Sequence, residues 1–183
     1  MRQAALRAAA ILFCAFAAAG CATSGDRGFR LEQLDRPEIA GTRVETPPQA
    51  MECVPYARAR SGVALFGDAG TWWVKAEGRY AKRQEPHRGA VIVLAGYAGP
   101  GRGHVGVVTT LVSAREIRLD HANWLGDGAI YIDDPVADVS PENDWSEVRV
   151  WNSRTGAWGR KTYVVEGFIG PDKLENSERV AAE

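Results

Sequence analysis

The sequence predicts an α+β domain in which two helices precede an antiparallel sheet of about five to six strands. Three observations lead there. A proline and a glycine bracket a short helical segment, "MECVPYARARSG". A tryptophan pair recurs at helical spacing in "DAGTWWVKAEGRYAK". From Gly89 onward, apolar residues come in short runs cut by Gly, Pro, Asp and Asn.

In the first segment, Pro55 is the positional marker. Proline has no N–H to give and its ring clashes with the preceding turn, so it is tolerated only in a helix's first turn. Pro55 therefore places Cys53 at or immediately before the helix N-terminus, and Gly62 falls just past its end. In the second segment Trp72, Trp73, Ala76 and Tyr80 share one helical face, with Asp68 or Thr71 as caps, and that face is read as core. The strands follow. "GAVIVLA" is a continuous apolar run suited to a buried strand, "HVGVVTTLV" is β-branched, and "REIRLDHANW" alternates. "GAIYIDD", "EVRVWN" and "TYVVEGFIG" complete the set.

With 45% hydrophobic and 25% charged residues in 183, the chain can bury one core. A net charge of −1 offers no basic field for nucleic acid. The N-terminus differs from the rest. "MRQAALR" followed by the apolar "AAAILFCAFAAAG" is too short for a membrane span and reads as a signal peptide over residues 1–20. Its end, "AAGCATS", resembles a bacterial lipoprotein box with lipid on Cys21, although Ala18 stands where that box usually has leucine. Ala17-Ala18-Ala19 offers an ordinary cleavage site instead. Residues 21–48 read as a lipidated N-terminus and flexible tether, 49–172 as the compact domain and 173–183 as a polar tail. The expected location is periplasmic and lipid-anchored, with the outer membrane preferred because Ala22 replaces the aspartate that commonly retains lipoproteins in the inner membrane. The expected oligomeric state is a monomer.

Of the three cysteines, Cys14 leaves with the leader and Cys21 is acylated, which leaves Cys53 unpaired. Three readings remain open on these grounds: a buried structural thiol, a disulfide to an unlipidated Cys21, or a nucleophile. Two histidines bear on the choice. His104 opens the second strand after "GPGRG", where glycines leave space for substrate and a sharp turn. Along the third strand Ile117, Leu119, His121 and Asn123 point to one face, so a core-facing row ends in two polar residues that require partners or a role. Asp120 points the other way. Asp133 and Asp134 lack a calcium-loop pattern and read as a solvated turn. No close-spaced ligand pair such as HExxH or CxxC suggests a metal, and no cofactor is expected.

Five features occur in one order: "ECVPYAR", the Trp-rich segment, "EPHRGAVIVL", "GHVGVVT" and "LDHANW". Together they resemble the CHAP amidase/peptidase domain, a branch of the papain-like NlpC-type superfamily, over about residues 50–170. The resemblance implies a papain-like fold, N-terminal helices on a strongly curved antiparallel sheet, and a cysteine hydrolase of peptidoglycan amide bonds, its partner being the stem peptides. It matches Cys53 to the nucleophile, His104 to the general base and Asn123 to a supporting polar position. CHAP domains commonly place glutamate two residues before that asparagine, and this chain has His121. NlpC-type relatives often use histidine as the third member, so His121 is expected to orient His104, with Asn123 as alternative or helper. Tyr56 and Trp124 are the expected substrate-binding aromatics. The competing reading is a non-catalytic envelope module that binds wall peptides or regulates a partner hydrolase.

Overall fold

Helix α1 (Cys53–Ser61) begins where Pro55 requires it. Glu52 is its N-cap residue with extended backbone, Cys53 is its first helical residue, and Gly62 ends it in the left-handed conformation at φ 77°. The computed structural model describes residues 34–173. The expected signal peptide, the expected lipidation site Cys21 with the first part of the expected tether, and the C-terminal tail past Lys173 lie outside the described residues.

Nine strands are described: β1 (Arg43–Glu45), β2 (Tyr80–Arg83), β3 (Val91–Leu94), β4 (His104–Ser113), β5 (Glu116–Ala122), β6 (Ile130–Asp138), β7 (Glu147–Asn152), β8 (Ala157–Trp158) and β9 (Tyr163–Lys173). Every pairing among them is antiparallel. Strands β3, β4, β5, β6, β7 and β9 pair in that order, and β9 returns to β3, so the sheet closes on itself as a six-stranded barrel. Strands β1, β2 and β8 attach to β6, β9 and β7.

This corrects the fold class. The described residues are mostly β, a closed antiparallel barrel with extra strands and two short helices, rather than an α+β, papain-like arrangement of helices on a curved open sheet. Two physical features account for the difference. The segment read as a second long helix holds only a 3-10 turn (Ala69–Thr71) and the four-residue helix α2 (Trp72–Lys75), because Gly78 turns left-handed at φ 66° and Tyr80 enters β2. Register shifts in the β4–β5, β5–β6 and β3–β9 pairings bend the strands enough for β7 to reach both β6 and β9.

Alternation along each strand divides the core in two. Ile92, Leu94, Val108, Ile117, Leu119, Val136 and Phe168 fill the barrel. Val91, Val93, Val105, Val107 and Ile169 face outward and are covered by Ala57, Val63, Leu65 and Trp72 from α1 and the segment after it. Strand β3 is thus buried on both faces, which explains its unbroken apolar run. The glycine before His104 serves packing rather than substrate space. A Cβ on Gly103 would lie 2.4 Å from the Gly70 nitrogen and 2.5 Å from its Cα, so two bare backbones touch there and pin the start of β4 against the 3-10 turn.

Candidate active site

The mouth of the barrel lies beside the N-terminus of α1, where β4 begins and β5 ends. His104, the first residue of β4, is 1% exposed, as is His121 near the end of β5. Their rings meet edge to face, with His104 Nε2 2.9 Å from His121 Nδ1. Room for this contact comes from Gly106, which stands opposite His121 in the ladder. A Cβ there would come within 3.1 Å of the His121 Cβ and 3.2 Å of Leu119 Cδ1.

Beyond His121 the chain of contacts continues. His121 Nε2 lies 3.1 Å from Asp134 Oδ2, and the Ser153 hydroxyl donates to Asp134 Oδ1 at 2.9 Å. Asp134 is fully buried, which corrects its reading as part of a solvated turn. The reason is a bulge. Asp133 adopts a left-handed φ of 52°, and the β5–β6 register slips by one residue between the pairs His121–Tyr131 and Leu119–Asp134. Alternation is reset, so Tyr131 and Asp134 both face inward.

Cys53 is a free, half-buried thiol whose sulfur lies within reach of the backbone N–H groups of Val105, Val54 and Cys53 itself. Val105 follows His104 directly, so the helix start and the strand start share one corner. Burial pushes the Cys53 thiol up; the Val105 N–H opposes this, and the Glu52 carboxylate adds to it. The resting group is therefore a thiol that requires a base, and the helix N-terminus alone does not make it a thiolate. His104 is held well below the usual imidazole range, first by burial and then by its neighbour His121. A neutral imidazole can accept a proton.

An aromatic shell fixes the two rings. Trp124, 5% exposed, packs at 4.8 Å from His104 and 5.3 Å from His121, measured between ring centroids. Tyr97, from the loop between β3 and β4, lies 4.9 Å from both His104 and Trp124, and its hydroxyl donates to the Asn123 and Trp124 carbonyl oxygens. Tyr97 also interacts electrostatically with Cys53.

The remaining expected residues stand apart from the imidazoles. Asn123, left-handed at φ 59°, donates to the Glu52 carboxylate at 2.8 Å and accepts from the Gly128 N–H at 2.8 Å. It ties the N-cap of α1 to the loop after β5, and the partner of His104 is His121. Tyr56 lies on the outer side of β5 beside Arg60 and Asp120, with its phenol pushed up to about 12 by burial and then by Asp120. Asp120 points to that side and pairs with Arg60 at 2.9 Å. Sequence reasoning missed Tyr97, Asp134, Ser153 and Glu52. An aromatic within the glycine-rich "AGYAGPG" was the available sign of the first, whereas the bulge concealed Asp134. Among the described residues no group of three or more His, Cys, Asp or Glu is placed to hold a metal ion.

The buried neutral imidazole has a consequence for stability. Between the depressed folded value and the ordinary value of about 6.5, the unfolded chain binds a proton at His104 that the folded chain does not. Stability therefore rises with pH across that window and is lost as pH falls through it. Urea midpoints are expected to fall from pH 7 to pH 5, with a shallower slope in His104→Gln; equal slopes in the two proteins would contradict this assignment.

The search of curated proteins finds no match to the chain. The family comparison does find one, and it covers α1, β3, β4 and β5, hence Cys53, His104, His121 and Asn123 together. Residues 44–123 match the CHAP domain model, consistent with a CHAP domain of the cysteine/histidine-dependent amidohydrolase/peptidase type.

Proposed function

We propose that the protein is a cysteine hydrolase of peptidoglycan amide bonds, either an N-acetylmuramoyl-L-alanine amidase or a stem-peptide endopeptidase. CHAP domains are in general amidases or peptidases, with peptidoglycan as the suggested substrate. The observation that carries the reading further is the shared corner: the Cys53 thiol at the start of α1, against the backbone next to His104, which is itself hydrogen-bonded to His121.

The steps follow from that corner. His104 Nδ1, the ring nitrogen not engaged with His121, takes the Cys53 proton as the sulfur bonds to the amide carbonyl carbon. The Cys53 backbone N–H at the helix start supports the developing oxyanion. The C–N bond then breaks, the amine leaves with the proton from His104, and a thioester remains on Cys53. Water, deprotonated by His104, hydrolyses it to a carboxylate and restores the thiol. The leader and the lipoprotein-like "AAGCATS" support export and tethering through Cys21.

Purified peptidoglycan incubated with the protein is expected to release soluble fragments carrying new amine and carboxylate ends. Sedimentation of the protein with the wall material, without any such release, would instead support the binding-module reading.

A further inference from the structure

We propose that Asp134 is the positioning residue of this site: acting through His121, it fixes which nitrogen of His104 is free to take the thiol proton, and it supplies the negative charge that the resulting imidazolium requires. The inference rests on the reading of Cys53 and His104 as nucleophile and base. It accounts for the histidine that stands where the family commonly has glutamate. The carboxylate is present, one strand further away.

The direction of each hydrogen bond follows from chemistry. A carboxylate only accepts. With Ser153 donating to Oδ1, Oδ2 must accept from His121, so the His121 proton sits on Nε2. A neutral His121 then has a lone pair on Nδ1, 2.9 Å from His104 Nε2, which must donate. That leaves His104 Nδ1 bare, and it is the atom the proton transfer needs. Thus β4, β5, β6 and the turn after β7 each contribute one member of a single relay: His104, His121, Asp134 and Ser153.

Charge matters as well as direction. When the thiol proton moves to His104 Nδ1, a positive imidazolium forms in a buried place, where an uncompensated charge is costly. Asp134 compensates it across His121, and no proton need pass to the carboxylate. Other groups facing the relay do not supply this. Tyr131, 5.3 Å from His121, is pushed up to about 12 by burial and by its bond to Asp127. Tyr97 is raised beyond that and Tyr163 is also raised, chiefly by burial. All three stay neutral through the working pH range. Asp127 is spent on Tyr131 and Arg154, and Glu52 on Asn123 beside the thiol. Asp120 and Asp133 lie on the outer face of the sheet, with Arg60 and near Arg118.

The test uses the full chain with Asp134→Asn, which keeps an acceptor for His121 but removes the charge, and Ser153→Ala as a milder second variant. Side-chain ¹⁵N spectra are tractable because the chain has three histidines. In the wild type both His104 and His121 are expected to be protonated on Nε2 and bare on Nδ1. In Asp134→Asn, kcat should drop on the order of 10²-fold with KM nearly unchanged, and the acidic limb of the pH–rate profile should move down by about one unit, because an imidazolium without its counter-charge loses its proton at lower pH. Ser153→Ala should move the limb in the same direction by less. An unshifted limb in both variants, or a His121 proton on Nδ1 in the wild type, would overturn the proposal. Failure of the underlying reading would look different, since the wild type would then be inactive or Cys53→Ala active. The tautomer measurement requires no substrate, and with Ser153→Ala it decides the matter if Asp134→Asn does not fold.

Discussion

Cys53→Ala is expected to lower fragment release from peptidoglycan by about 10⁴-fold or more, while the protein still sediments with the wall. In the proposed reaction the sulfur bonds the carbonyl carbon, and alanine offers no substitute. The fold should tolerate the change. Cys53 is half-buried at the first position of α1, its backbone continues the helix unaltered, and Pro55 and Gly62 still mark the helix ends. Loss of a single sulfur from such a site costs about 1 kcal/mol, so the melting temperature should stay within a few degrees of wild type. Paired assays of release and thermal unfolding check both halves. A variant that loses activity by unfolding would not bear on the nucleophile at all.

Trp124→Ala carries the largest expected cost in stability, about 3–5 kcal/mol, or roughly 10 °C in melting temperature for a domain of this size. Trp124 was expected from the sequence to bind substrate, but the structure places it almost wholly inside, against His104, His121, Tyr97 and Tyr163. Truncation opens a cavity directly beside both imidazoles. Turnover should fall with stability, because a base displaced by even an ångström loses its alignment with the thiol. Trp124→Phe, which restores most of the volume, should recover much of both. Unchanged unfolding in Trp124→Ala, followed by calorimetry, would contradict the packing described here.

What the sequence disclosed depended on how local the determinant was. Pro55 and Gly62 act on their own residues, and they located α1 and its first residue correctly. Alternation in "REIRLDHANW" put His121 inward and Asp120 outward, as observed. Barrel closure was not legible, because pairing between β7 and both β6 and β9 is set by accumulated bends rather than by any one segment. The second helix failed because Gly78 turns left-handed and Tyr80 leaves to pair with distant β9, which a helical periodicity does not register. Asp134 was lost to a single left-handed residue, Asp133, that reverses the alternation on which the inward and outward assignment relies. The contact of His121 with His104 was anticipated and is present, and the acid behind His121 was not anticipated.

Mass spectrometry of the products released from purified peptidoglycan, by wild type and by Cys53→Ala side by side, tests the central claim most directly. Wild type is expected to yield fragments in which one amide has gained one water, at a single kind of bond, and the variant none above background. Equal release of the same fragments by the variant would contradict it.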